Sequence, residues 1–282
     1  MTIHDQFSQK INTYVNEVRT NGFVLIQSQI SDSLTEELIH KIKYLEETLP
    51  PVPMDTIPYL NRGHKVVYSL ENKDIIFARS MFNHPVARAV KMALLNDQWY
   101  KQIPQDKPNY ILRAMLARSG GPESLPLHID SFIPSSGSHA WAVQVAFILE
   151  DQSIENGCTV FVPGSHLFDR YANQDAMASA VPVEPKRGDL VIWDSRIWHG
   201  TKGNLSTKSR WAFIGTFTRW WIKQNYDTVK NIPDSIYHQL SDEEKSIMGY
   251  CSYPPLNEYE RIDIKGGYEL FKDGRPRPAQ KN

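Results

Sequence analysis

The sequence predicts a mainly β protein with flanking helices, a sandwich or jelly roll covered on one side by N-terminal helices. Three observations carry this. Helical periodicity and helix caps are concentrated in the first 107 residues. From about residue 108 the chain becomes a series of short β-rich runs punctuated by Gly, Pro, Asn and Ser. Between those runs only "DRYANQDAMASA" has a helical pattern, so the strands must pair antiparallel and not through helical crossovers.

Taken in order, residues 7 to 18 place Phe7, Ile11, Tyr14, Val15 and Val18 on one helical face, and Gly22 in "TNGF" ends that helix as its C-cap. "FVLIQ" reads as a short buried strand. "SDSLTEELIHKIKYLEETL" predicts a second helix with a capping box from Ser33 to Glu36 and apolar Leu34, Leu38, Ile42 and Leu45. "LPPVPMDTIPYL", rich in proline, is loop. "NHPVARAVKMALL" opens a third helix with Pro85 in its first turn. The strands follow as "YILRAMLARS", "WAVQVAFILED", "CTVFVPG", "DLVIWD" and "RWAFIGTFTRWW". Beyond Asp227 come short helices, notably "SDEEKSIMGY", and an irregular Pro-rich tail. With no repeat or flexible linker, residues 1–282 read as one domain: a mostly helical part (1–107), a jelly-roll core (108–220), and C-terminal helices with the tail (221–282).

Composition narrows the function classes. A net charge of -1 and a pI of about 6.8 leave no basic field for nucleic acid or an anionic membrane. No apolar run approaches the roughly 18 residues of a membrane-spanning helix. The start, "MTIHDQFSQKINTYVNEV", is amphipathic and mixed in charge, unlike a secretory signal. Cys158 and Cys251 are too few for a disulfide framework. The expectation is a cytoplasmic protein acting on a small molecule, with nothing to fix its oligomeric state.

The chemistry concentrates in "ESLPLHIDSF". In a strand, residues two apart share a face, so His128 and Asp130 would project together as neighbouring metal ligands. Chance supplies such a pair about once in a chain of this composition, so the rest of the sequence must decide. His199 in "WDSRIWHGTKGN", at the end of a strand-like run, is the third candidate ligand. Two histidines and a carboxylate form the facial triad that suits non-heme Fe(II) and leaves coordination positions open. Arg210 opens a β-patterned strand eleven residues later. Inside a sandwich its guanidinium needs a planar carboxylate partner, which a co-substrate such as 2-oxoglutarate would supply. Thr201 shares the face of His199 and offers a hydroxyl to the same carboxylate. The alternative for each residue is ordinary: a hydrogen-bonded rim histidine, or an exposed arginine at a strand start.

"LHID", "ENGCTVFVPGSH", "PVEPKRGDLVIWDSRIWHGTKGN" and "SRWAF", in that order and spacing, resemble the phytanoyl-CoA dioxygenase-like Fe(II)/2-oxoglutarate oxygenases over roughly residues 108 to 220. The resemblance implies a double-stranded β-helix (jelly roll, cupin-like), with iron held by His128, Asp130 and His199. It implies that Arg210, assisted by Thr201, binds the distal carboxylate of 2-oxoglutarate, that Gln144 contacts the co-substrate, and that O2 is consumed. Members that halogenate lack the carboxylate, so Asp130 points to hydroxylation of a small-molecule metabolite or natural-product intermediate. Arg113, Phe132 and Trp141 are candidate substrate residues, with Arg113 preferred over Arg118 because it interrupts an apolar run. "NGCTVFVPGSH", including His166, reads as turn structure. The competing functions are a non-catalytic jelly-roll binding protein, a Zn-dependent hydrolase on the same triad, and a hydroxylase of acyl-CoA.

Overall fold

A computed structural model describes residues 3–50 and 63–252. The expected Pro-rich loop is described only at its two N-terminal residues, Leu49 and Pro50, and the tail beyond residue 252 lies outside the described residues. The strands form two antiparallel-paired sheets. One has six strands: β1 (Phe23–Ile26), β8 (Leu190–Asp194), β5 (Ala142–Ile148), β10 (Ala212–Arg219), β3 (Tyr110–Ser119) and β2 (Lys65–Tyr68), in that spatial order. The other has four: β4 (Leu125–His128), β9 (His199–Thr201), β6 (Thr159–Phe161) and β7 (Val181–Val183). From β3 to β10 the chain alternates between the sheets apart from the β6–β7 hairpin, as in a double-stranded β-helix, and the mainly β expectation with flanking helices holds.

The chain divides into two compact units, Met1–Tyr68 with Leu116–Ile214, and Ser69–Met115 with Gly215–Asn282. In the first, Ala146, Ile148, Val191, Trp193 and Ala212 of the large sheet pack with Phe161 and Val183 of the small one. This alternation of inward apolar residues is what closes a sandwich core. Outside the small sheet, Leu127, Val160, Val162 and Trp198 form a second cluster.

Two helices of this unit flank the sheets. α1 (Ile3–Asn21) ends at Gly22, whose φ of 90° and N–H bond to the Val18 carbonyl at 2.9 Å make it the expected cap. α2 (Asp32–Thr48) begins two residues earlier than the sequence suggests. Ser31, not Ser33, is the N-cap: its hydroxyl accepts the Leu34 N–H at 3.3 Å. Asp32 then stands in the first turn, where the helix dipole favours it. β2 is an addition that the sequence reading lacked.

In the second unit α3 (Ile75–Asn83), also unforeseen, precedes α4 (Pro85–Leu95), which opens on Pro85 with His84 as cap. α5 (Thr228–Asn231), α6 (Asp234–Tyr237) and α7 (Asp242–Ile247) are the short C-terminal helices, and Ser241 and Glu244 form a capping box on α7. The bidentate Arg88–Glu243 pair, at 2.7 and 3.1 Å, links α4 to α7. "DRYANQDAMASA" folds only as a 3-10 turn, Gln174–Ser179. No helix of the described residues is long and apolar enough to cross a membrane.

Candidate metal centre

The structure brings His128, Asp130 and His199 together: one ligand atom from each lies within 4.8 Å of the others, the one such group among the described residues. Asp130 Oδ2 is 3.2 Å from His199 Nε2, and Oδ1 is 3.6 Å from His128 Nε2. Each ring is oriented by its other nitrogen. His128 Nδ1 donates to the Pro126 carbonyl at 2.9 Å and His199 Nδ1 to the Ile197 carbonyl at 3.0 Å. With both Nδ1 groups committed to backbone carbonyls, both Nε2 atoms face the carboxylate and are the nitrogens that would be offered to a metal.

The convergence arises differently from the simple pleat. β4 ends at His128, and Asp130 lies in the bend beyond it. β4 and β9 pair Leu125 with Thr201 and His128 with His199, three residues against two, so β4 carries a bulge. In uninterrupted register His128 would fall opposite residue 198 and on the other face; the extra residue re-aims it at His199. Asp130 is then fixed through its backbone. The Ser195 carbonyl accepts the N–H groups of Asp130 at 2.8 Å and Ser131 at 3.0 Å.

Ser195 itself sits between Asp194 and Arg196, a fully buried ion pair at 2.8 Å. Arg196 also donates to the carbonyls of Ser135 at 3.2 Å and Gly137 at 2.5 Å. The turn that leads to His199 therefore also pins the loop after Asp130. Phe132 in that loop has φ of 67° and is 64% exposed beside the carboxylate, which suits a surface facing a ligand. Trp141 is half-buried just before β5.

Electrostatically the triad is self-consistent without a metal. Burial raises the Asp130 pKa, but the charges and hydrogen bonds of His199 and His128 outweigh it and hold the carboxyl well below its usual range. Burial lowers that of His128, yet Asp130 and the Pro126 carbonyl leave it raised overall. Gln144, expected at the co-substrate, donates Nε2 to Asp130 Oδ2 at 2.8 Å. Its observed partner is thus the ligand carboxylate, which it orients. Thr201 Oγ1 accepts the Leu125 N–H at 3.3 Å and is buried.

Arg210 lies two residues ahead of β10 and is 4% exposed. Its backbone N–H is held by Ser119 Oγ at 3.2 Å. Its Nε and Nη2, the edge that grips a carboxylate in bidentate fashion, are buried with no hydrogen-bond partner among the described residues. Burial and the nearby Arg118 charge push its pKa down to about 10, and no carboxylate figures among the causes. A buried guanidinium cannot shed its proton at neutral pH, so this arrangement calls for an anionic ligand. Gly120 makes room for it: a Cβ there would stand 2.3–2.5 Å from Nη2, Nε and Cζ of Arg210. The residues therefore fit both groups, a divalent metal at the triad and a carboxylate at Arg210.

Arg113 belongs to the second unit, where Nε donates to Asn225 Oδ1 at 3.0 Å. Five residues on, Arg118 points to the other face of β3 and acts electrostatically on both His128 and Arg210. Of the two arginines, Arg118 is the one in the same unit as Arg210. His166 is structural, its Nε2–H donating to the Arg19 carbonyl at 3.0 Å.

A double-stranded β-helix with a two-histidine, one-carboxylate cluster and a buried arginine defines a class of metal-site jelly-roll proteins. Within it, the chain belongs to the phytanoyl-CoA dioxygenase (PhyH) family, whose profile matches residues 18–212. The dioxygenase af480 of Aspergillus fumigatus is 29% identical over 67% of this chain and 60% of its own length. An uncharacterized protein of Mycobacterium bovis is 31% identical over 48% of this chain and 49% of its own. The matches thus span about half to three fifths of these relatives. Among solved structures, the epimerase SnoN in complex with Fe3+, alpha ketoglutarate and nogalamycin RO superposes with a TM-score of 0.59 at 17% identity, covering 75% of this chain and 84% of that one.

Proposed function

We propose that this protein is an Fe(II)- and 2-oxoglutarate-dependent dioxygenase that hydroxylates an unactivated C–H bond of a small molecule. The observation that carries the reading is the pairing of two features: a triad with both Nε2 atoms turned to Asp130, and a buried Arg210 whose carboxylate-gripping edge has no hydrogen-bond partner among the described residues. A Zn-dependent hydrolase would account for the first and leave the second without a purpose, as would a plain metal-binding module. SnoN, described as binding iron and alpha ketoglutarate on the same fold, supports the same assignment.

Iron and 2-oxoglutarate, when bound, supply the oxidative chemistry, with O2 and the co-substrate converted to CO2 and succinate as one oxygen atom enters the substrate. The chain supplies the rest. His128, Asp130 and His199 would hold the metal. Gln144 fixes the carboxylate plane of Asp130, and the Ser195 carbonyl fixes its backbone. Arg210 takes the distal carboxylate of the co-substrate, with Thr201 beside the same path, so the co-substrate is oriented before O2 enters. Phe132 and Trp141 are assigned to the substrate side.

The test is spectroscopic and then chemical. Anaerobic addition of Fe(II) and 2-oxoglutarate should produce a weak visible charge-transfer band, and admission of air should yield succinate. A protein giving neither the band nor succinate is not this enzyme. SnoN is an epimerase, so products from a metabolite screen should be checked for inverted stereocentres as well as for added oxygen.

A further inference from the structure

Beside Arg210 stands a second guanidinium that the proposed chemistry has not used. Arg118 is the penultimate residue of β3, opposite Val66 of β2. Just before β2, His64 is buried, and its Nδ1 lies 3.1 Å from Arg118 Nη2 and 3.1 Å from the Gly121 N–H. Two donors on one ring nitrogen make it the acceptor and place the proton of a neutral ring at Nε2. His64 thus sets the orientation of Arg118 without adding an opposite charge.

The next glycine back closes the geometry. The guanidinium of Arg210 rests on Gly120 in the space a side chain would fill. One peptide, Gly120–Gly121, therefore carries Arg210 against its first residue and, through His64, Arg118 against its second. The charge of Arg118 lowers the pKa of both Arg210 and His128. Two guanidiniums brought this close repel each other, and a shared anion between them converts the repulsion into attraction.

Resting on the co-substrate reading of Arg210, the geometry points to Arg118 as a second binding cation for the distal carboxylate of 2-oxoglutarate. A carboxylate offers about four lone-pair sites. Arg210 takes two through Nε and Nη2, and Arg118 takes a third from the side of β2. A site built this way selects a 2-oxo diacid over a 2-oxo monoacid more sharply than one arginine does.

The experiment is anaerobic titration of the Fe(II)-loaded protein, read by the charge-transfer band, with 2-oxoglutarate and with 2-oxopentanoate. The second acid keeps the chelating end and lacks the distal carboxylate. Arg118→Gln should raise the Kd for 2-oxoglutarate by about tenfold or more while leaving that for 2-oxopentanoate within about twofold. Arg118→Lys should fall between, and unchanged 2-oxopentanoate binding certifies an intact metal centre. Equal weakening of both acids, or no weakening of either, overturns the assignment. Arg210→Gln is the control for the underlying reading. If it discriminates between the acids and Arg118→Gln does not, only the Arg118 proposal falls; if neither does, both fall.

Discussion

Arg210 in the first unit and Lys91 in the second are both buried cations, and they are buried for opposite reasons. Lys91 is 0% exposed, yet its needs are met locally: Nζ donates to the Met81 carbonyl at 3.1 Å and sits 3.6 Å above the Phe217 ring. Burial, with Arg88 adding to it against Glu243, drives its pKa well below the usual lysine value, so the amine can discard its charge. Arg210 has no such escape at neutral pH, and its gripping edge has no hydrogen-bond partner among the described residues. The difference teaches that burial of a cation says little by itself. What marks a binding site is a charge that cannot be neutralised and a hydrogen-bonding edge left open.

Four substitutions or titrations break or sharpen that contrast. The largest effect belongs to Arg210→Gln, expected to raise the apparent KM for 2-oxoglutarate by about 100-fold, the worth of a desolvated charge-assisted pair. Its melting temperature should hold or rise, because the substitution deletes a buried unpaired charge. A steep loss of stability with unchanged KM would make Arg210 structural, like Lys91.

Gly120→Ala comes next. Its Cβ would meet the Arg210 guanidinium at 2.3–2.5 Å, so the side chain must move, and the KM for 2-oxoglutarate should rise by about tenfold with little change in kcat. Steady-state kinetics at saturating substrate decide this, and an unchanged KM would mean that Arg210 does not use its present position.

The third concerns Lys91 and pH. Its folded pKa lies below the unfolded value of about 10.4, so across that window the unfolded chain binds the extra proton and stability rises with pH. Denaturant melts of the unsubstituted protein and of Lys91→Met, taken from pH 7 to 9, should differ in slope by up to about 1.4 kcal/mol per pH unit, the substituted protein being flatter. Identical slopes would show that Lys91 stays charged when folded. The smallest effect is on function: Lys91→Met should leave the KM for 2-oxoglutarate within about twofold, and a larger change would join the two cations that the comparison separates.

Much of this was legible in the chain. The β texture after residue 108, the cap at Gly22, Pro85 at the start of α4 and the short helix in "SDEEKSIMGY" are local signals, because they depend on backbone preferences over a few residues. The candidate ligands were also visible by residue type and order. The capping box at Ser33 was misplaced because Ser31 and Ser33 are chemically alike, and only the start of the helix distinguishes them. β2 and α3 went unread because their apolar patterns are short.

What the sequence determined by itself, then, is the inventory: strands, helices, three candidate ligands and an arginine, each set by local chemistry. The tertiary structure alone decided how they meet. The bulge in β4 turns His128 toward His199, the Ser195 carbonyl draws Asp130 back to them, and Gly120 opens the space for Arg210. Register on β3 likewise sets Arg118 opposite Val66 of β2 and on the other face from Arg113. Each of these depends on register between segments far apart in the chain, and register is fixed only when the sheets close on a common core.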